Sequence, residues 1–404
     1  MMSEEGLLNI TSKFLPKEEM LEINSKKSSL KIGVLRETNN DENRVCLTPE
    51  AVGLLVDANH EILIQSKAGE KSGYPDIMYS EQGGIIASTF EEIMQADIIL
   101  KVSRLNEKEI LLVRKNQFIF TSIQQFSLQK SYLKQFIEKK ATAISFERIM
   151  DNALGFPLIR SMSEIVGASA IQIASYYLSH PKYGRGTLLG GVPGVTPAEV
   201  VILGAGTVGE YAVRTALGMG ASVKVFDNSI YKLRRLQNNV RENVPTSTLQ
   251  PKTLMRAVKN ADVIIGALRA DDNSYNFKVS EYMVQSMKQG SVIIDVGIDE
   301  GGTFETSRPT SHKEPVYQKH GITHYCVPNI ASRVSNTASS AFSNFFTPLL
   351  LEIASSGGIS NYLKKDAGLR NGVYLFNGIV TNSHIGKTFG FNYRNLDLLL
   401  AVLH

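Results

Sequence analysis

Val200-Val201-Ile202-Leu203-Gly204-Ala205-Gly206-Thr207-Val208-Gly209 is the stretch from which the fold can be read. The apolar run Val200 to Leu203 is a buried strand, and the residues after Gly206 open a helix. The three glycines between them each have a task. The first permits a tight turn, the second lets backbone amides approach a pyrophosphate, and the third allows helix and strand to pack closely. The helix N-terminus then offers free N–H groups and a positive dipole end to the phosphates. Asp227 ends the next strand, Ser222 to Phe226. It lies about 20 residues on, where a carboxylate can accept both ribose hydroxyls. No arginine directly follows it, and a carboxylate there repels a 2′-phosphate, so the expected cofactor is NAD rather than NADP. Lys232, one helical turn further, falls near the adenosine end. A glycine turn beside an unrelated surface aspartate is the bland alternative, and the strand–turn–helix context counts against it.

Outward from this motif the chain alternates strands with helices, the pattern of parallel α/β sheets. Further strands are expected at Asp262 to Gly266 and Val292 to Asp295 on the C-terminal side. Ahead of the motif, Ser163 to Tyr177 is a long helix rich in small residues, suited to close packing at a domain junction. An earlier α/β unit begins at Lys31-Ile32-Gly33-Val34 and continues through Glu61 to Ile64, Asp97 to Val102, Phe118 to Thr121 and Ala141 to Phe146. Thr48-Pro49 supplies an N-cap and a first-turn proline between its first two strands. From about Thr337 the tail returns to helical periodicity. The fold expected is therefore α/β with two Rossmann-like domains, the second a doubly wound parallel sheet that binds a dinucleotide.

Composition narrows the function. The chain has 404 residues, 43% hydrophobic and 20% charged, enough for two cored domains. Its net charge of +4, from 43 basic and 39 acidic side chains, is too balanced to suggest a nucleic-acid partner. No apolar run approaches the ~18 residues of a membrane span, so no membrane partner is expected. Two distant cysteines, Cys46 and Cys326, fit a reducing cytoplasm better than a disulfide. No His/Cys set stands at metal-ligand spacing, and no metal is expected. Residues 1–30 read as an N-terminal extension without a signal-peptide core, in which Leu7 to Ile23 is either a short amphipathic helix or a frayed segment.

Several longer segments carry a resemblance. Besides the glycine turn they are Lys31 to Val34, Glu42-Asn43-Arg44-Val45, Met162-Ser163-Glu164, Gly190 to Val195, Asp295 to Gly302, Phe304 to Thr310 and His324 to Val327. In this order they resemble the alanine dehydrogenase family, relatives of the NAD-binding subunit of proton-translocating transhydrogenase. The resemblance implies a substrate domain of residues 31–157 plus 336–404, an NAD-binding domain of residues 158–335, and an active site in the cleft between them. It also implies a homo-oligomer, a hexamer or a dimer, and a small amino acid or 2-oxo acid as substrate. The implied reaction converts L-alanine, NAD and water to pyruvate, ammonium and NADH. Arg44 matches the arginine that binds the substrate carboxylate, a task its fork geometry suits. Asp299 matches the aspartate near the nicotinamide. Ser163, Asp227, Lys232 and Asn329 match cofactor-side positions.

Two matches fail. In Lys101-Val102-Ser103-Arg104 the first family lysine is kept as Lys101, but the substrate lysine falls on Ser103. The catalytic histidine falls on Gln124, which can hydrogen bond but cannot titrate near neutral pH. Loss of a general acid/base typically costs about 10²–10⁴ in rate. His312, His320 and His324 are candidate replacements, although a lone histidine is more often structural. Three functions therefore stand side by side: a dehydrogenase with a rebuilt site, an NAD-responsive regulatory protein without turnover, and a transhydrogenase NAD-binding subunit.

Overall fold

Residues 28–123, 128–153, 155–268 and 277–402 are described by a computed structural model of the chain. Residues 1–27 of the expected extension 1–30, with its Leu7 to Ile23 segment, and Gln124 lie outside them. Among the described residues two mixed sheets, mostly parallel, form the framework. The first contains β1 (Lys31–Val34), β2 (Glu61–Gln65), β3 (Ile85–Ala87), β4 (Ile98–Leu100), β5 (Phe118–Thr121) and β6 (Thr142–Ser145), parallel in the order β3-β2-β1-β4-β5-β6. The second contains β7 (Glu199–Leu203), β8 (Ser222–Phe226), β9 (Thr246–Ser247), β10 (Val263–Gly266), β11 (Val292–Asp295), β12 (Val316–Lys319) and β13 (Ile322–Tyr325). Its parallel order is β9-β8-β7-β10-β11-β13, with β12 antiparallel at the outer edge. Each sheet thus reverses direction beside its first strand, the Rossmann arrangement. The α/β fold expected from the motif and its flanking strands is the one observed.

Periodicity explains the layers. Strands β4, β6, β10 and β11 are buried at every residue, as parallel strands covered on both faces must be. Helix α1 (Pro157–Ser179) runs from one core into the other, with Leu158 and Met162 packed in the first and Ala170 to Leu178 in the second. Its glycine has a steric reason: a Cβ on Gly167 would lie 2.3 Å from the Val208 carbonyl oxygen of α2 (Thr207–Gly218). Helix α3 (Ser335–Ser355) returns to the first sheet and seats Phe342 and Phe346 against Phe146 and Phe120, edge to face, with centroids 5.3 and 5.8 Å apart.

The tail, read from the sequence as returning to helical periodicity, also contains two strands. Residues Val373–Phe376 (β14) and Ile379–Val380 (β15) form a hairpin that extends the first sheet antiparallel to β6. Asn377 and Gly378, at φ 48° and 80°, supply the two positive-φ residues of a type I′ turn, whose twist matches that of the strands it joins. Thr48 precedes its helix as expected but makes no side-chain cap, and its N–H donates instead to Ser343 Oγ at 2.7 Å.

Candidate active site

Apart from Ser163 on α1, Lys232 on the helix Ile230–Val240 and the three histidines, the described candidate site residues lie at or beyond the carboxyl end of a strand, where open α/β sheets bind ligands. The glycine turn follows β7, Asp227 follows β8, Asp299 follows β11 and Asn329 follows β13. In the first sheet Arg44 follows β1, and Lys101 and Ser103 follow β4, the two strands that flank its reversal point.

A cavity of about 550 Å³ occupies the switch point of the second sheet, lined among others by Ser163, Gly206, Asp227, Lys232, Gly297 and Gly301. The three glycines divide as the motif predicts. Gly204 sits at φ 115° with its Cβ position 2.4 Å from the Ala267 carbonyl oxygen. A Cβ on Gly209 would lie 1.9 Å from the Gly204 carbonyl oxygen, whereas a Cβ on Gly206 would meet nothing within 4 Å. Gly206 is therefore small for the sake of what enters the cavity rather than for the protein's own packing. Asp227 is held rigidly: its carboxylate oxygens accept from Ala205 N–H and Ser229 N–H, both at 2.8 Å. Each oxygen keeps lone-pair capacity for a hydroxyl. A dinucleotide fits this donor set, with the pyrophosphate at the α2 N-terminus and a ribose at Asp227.

A second cavity, about 390 Å³, opens beside Arg44, with Arg36, Glu37, Glu42 and Lys71 on its walls. Glu42 grips the guanidinium twice, accepting from Nε at 2.8 Å and from one terminal nitrogen at 2.6 Å. The other terminal nitrogen touches Met162 Sδ at 3.5 Å, and the guanidinium lies over the Phe342 ring, 5.4 Å from its centroid. Burial pushes the Glu42 carboxyl up, but the Arg44 charge and its hydrogen bonds outweigh burial and hold it below its ordinary value. Arg44 is thus a fixed cation whose outer face remains for an anion. The loop carrying it is stitched to the α3 region by serine hydroxyls, Ser332 on Asn43 N–H at 2.8 Å and Ser339 on Val45 N–H at 2.9 Å.

Asn329 joins the two sides. Its side-chain amide donates to Glu42 at 2.7 Å, and its backbone N–H faces the Asp299 carboxyl closely enough to lower its pKa. The residue holds φ 59° and ψ 51°, a left-handed conformation that asparagine tolerates better than most. Desolvation pushes the Asp299 carboxyl above its ordinary value, against the Asn329 hydrogen bond and the Arg44 charge. Its neighbours Gly297 and Glu300 line the dinucleotide cavity. Asp299 itself lines neither cavity, but it sits between neighbours that line the first one and within reach of the charge of Arg44, which lines the second.

Lys101 is brought close but not into either cavity. It is completely buried, and its Nζ lies 2.6 Å from both oxygens of Glu109. Glu109 is itself half of a capping box with Asn106. Ser103 hydrogen bonds to Glu37 through both its hydroxyl and its N–H. The three histidines are not at the site. His324 is wholly buried, with Nδ1 on the Ile322 carbonyl at 3.0 Å and Nε2 on Thr306 Oγ1 at 2.8 Å. His320 sits at φ 55° in the β12–β13 turn, paired with Glu281 at 2.6 Å. His312 donates its N–H to Asp41 at 3.1 Å. Cys46 and Cys326 are buried free thiols.

Two residues at the site carried no assigned role in the sequence reading. Glu42 was part of a quoted segment, but its hold on Arg44 and on a residue 287 positions away is a tertiary fact. Glu37 carried one usable signal, its position just past the end of β1 at a switch point.

Comparison with known proteins agrees with this geometry. The family described as Alanine dehydrogenase/PNT, N-terminal domain, matches residues 33–166, and its C-terminal domain counterpart matches residues 170–383. An alanine dehydrogenase of Methanococcus maripaludis is 38% identical over 364 residues, covering 90% of this chain and 97% of the relative. A solved L-alanine dehydrogenase superposes with a TM-score of 0.83 at 33% identity, covering 89% of this chain and 99% of that one. A transhydrogenase structure from Sinorhizobium meliloti shares the fold, with a TM-score of 0.73 at 20% identity over 87% of this chain and 99% of that one. With both domain matches in order across one pair of Rossmann sheets, the chain belongs to the alanine dehydrogenase/PNT family.

Proposed function

We propose that this protein is an NAD-dependent dehydrogenase that reversibly deaminates a small L-amino acid, with L-alanine as the first substrate to test. The observation carrying this reading is the Arg44–Glu42–Asn329–Asp299 array. It sets a fixed cation for a carboxylate against an acid whose neighbours line a dinucleotide cavity. Residues 31–157 with 336–404 form the substrate domain, and residues 158–335 form the NAD-binding domain. The turn Gly204 to Gly209 and the α2 N-terminus hold the pyrophosphate, and Asp227 holds the adenosine ribose. Ser163, Lys232 and Asn329 complete the cofactor side. NAD, when bound, supplies the acceptor for the substrate's α-hydride. Arg44 orients the substrate through its carboxylate, and Asp299 stabilises the positive charge that develops on the α-nitrogen and carbon. The Asp227 carboxylate disfavours a 2′-phosphate, which supports NAD over NADP.

The protein acts in this reading as a cytoplasmic homo-oligomer, a dimer or a hexamer. No helix among the described residues is long and apolar enough to cross a membrane. The exposed apolar side chains Tyr176, Leu188, Val192 and Val195 support association of copies. A second reading, an NAD-responsive regulatory protein without turnover, is favoured by one observation, the Ser103 and Gln124 replacements.

NADH formation by the purified protein with L-alanine, followed across pH 7 to 10 with NAD or NADP, separates the two. Turnover within the usual enzyme range of roughly 1–10³ s⁻¹, with NAD preferred, supports the dehydrogenase. NAD binding without turnover on any small amino acid supports the regulatory reading.

A further inference from the structure

Ser103 and Gln124 stand where the resemblance implies a lysine and a histidine, and the cavity beside Arg44 holds a carboxylate. Glu37 lines that cavity together with Arg44. Its Oε1 accepts from the N–H groups of Val102 at 2.8 Å and Ser103 at 3.1 Å, and its Oε2 is bound by the Ser103 hydroxyl. Among the described residues no Lys or Arg nitrogen forms an ion pair with it. The nearest cation on the facing strand end, Lys101, has its Nζ committed to both oxygens of Glu109. At position 103, where the resemblance implies a lysine, this chain puts a neutral hydroxyl on Glu37.

Resting on the dehydrogenase reading, we propose that Glu37 is the proton carrier of the reaction, the role Gln124 cannot fill. Once the α-hydride has left to NAD⁺, the substrate is an iminium ion. Water forms a C–O bond to its carbon, and Glu37 takes the proton that water releases. The protonated Glu37 then gives that proton to the amine nitrogen. The C–N bond breaks with its electron pair going to nitrogen and ammonia leaves; as the carbonyl forms, the hydroxyl gives its proton to the ionised Glu37, which passes it to solvent and is again a carboxylate. Ser103 Oγ accepts from Glu37 when the acid is protonated and donates to it when it is ionised, so the carboxyl keeps one position through the cycle.

The surroundings suit that task. Burial raises the Glu37 carboxyl above its ordinary value. The Lys101 charge opposes this, Glu42 adds to it, and the Ser103 hydrogen bonds oppose it. Arg44 and the buried, neutral Cys46 also interact with it, and Arg36, Lys67, Glu70 and Lys71 line the same cavity. A carboxyl shifted toward the working pH can both take and give a proton.

The test is Glu37→Gln, which keeps shape and hydrogen bonds but cannot titrate. The expected result is a fall in kcat of about 10²–10⁴, NAD affinity within twofold of wild type, loss of the acidic limb of the pH profile, and partial rescue by formate. Turnover within threefold of wild type with an unchanged profile overturns the proposal. If Glu37→Gln does not fold, Glu37→Asp decides: a displaced acidic limb supports the assignment, and an unmoved limb overturns it. If the wild type turns over no amino acid, the dehydrogenase reading fails by itself. The Glu37 assignment is then read from calorimetry of pyruvate binding to the NADH complex in two buffers of different ionisation enthalpy. Proton uptake in wild type that is absent from Glu37→Gln supports it, and uptake unchanged by the variant, or absent from wild type, overturns it.

Discussion

Two glycines of one turn, 206 and 209, separate cofactor binding from packing. Gly206 has φ −75° and ψ −168°, a conformation open to alanine, and its Cβ would have no neighbour within 4 Å. Gly206→Ala should therefore leave stability within about 0.5 kcal/mol of wild type, as for a substitution that touches nothing. The added methyl points into the space a pyrophosphate must enter, so NAD affinity should fall at least about tenfold, or 1.4 kcal/mol. Gly209→Ala behaves differently. Its Cβ would lie 1.9 Å from the Gly204 carbonyl oxygen, a backbone atom that cannot swing away. Relief requires strand and helix to part by more than an ångström, an overpacking that costs about 1–3 kcal/mol or more. At about 2–4 °C per kcal/mol for a domain of this size, the melting temperature should drop by roughly 2–12 °C. Calorimetric titration with NAD and thermal denaturation of both variants give the two readings. Equal loss of stability in both variants, or full NAD affinity in Gly206→Ala, would refute the assignment of the turn to phosphate binding.

Arg44→Ala should lower kcat/KM by about 10–100-fold, the worth of one charged hydrogen-bonded contact, mostly through KM, while calorimetry shows NAD affinity unchanged. An unaltered KM would remove Arg44 from the substrate. Asp299→Asn should lower kcat by about 10²–10⁴ with NAD still bound, and steady-state kinetics beside wild type checks it. His324 links pH to stability rather than to rate. Desolvation lowers its pKa from 6.5 to about 4, against the Ile322 hydrogen bond, so below pH 6.5 the unfolded chain binds the extra proton. Stability from this group is whole above pH 6.5, falls as the pH drops and levels off near 4, a loss of about 3 kcal/mol. Urea denaturation of His324→Gln across this range should give a flatter curve than wild type. Parallel curves would show that His324 does not titrate in this way.

Much of the framework was legible because its signals are local. An apolar run, three glycines at fixed spacing and a carboxylate at the next strand end specify a turn, a cavity and the carboxylate that lines it before any tertiary contact forms. The β14–β15 hairpin was also written locally, as Asn377-Gly378 between Val373 to Phe376 and Ile379-Val380, and His320-Gly321 makes the corresponding turn between β12 and β13. Helical periodicity around the first turn and a single histidine-glycine pair at the second hid both. Ion-pair partners were not legible. Lys101 finds Glu109 across a loop, and Arg44 is oriented by a glutamate that is itself held by Asn329 from the other sheet. Such choices among many charged side chains are made by the packed structure rather than by spacing. The same holds for Glu37, whose meaning depends on Ser103 being the residue brought against it.

The most direct test of the account is isotopic. L-Alanine deuterated at the α-carbon is incubated with the protein and NAD, and the cofactor is examined by mass spectrometry. Hydride transfer from the α-carbon predicts NADH one mass unit heavier than that formed from unlabelled alanine, in amounts that exceed the enzyme over repeated turnovers. Absence of reduced cofactor after long incubation, with NAD shown to be bound, would contradict it and leave a binding protein in its place.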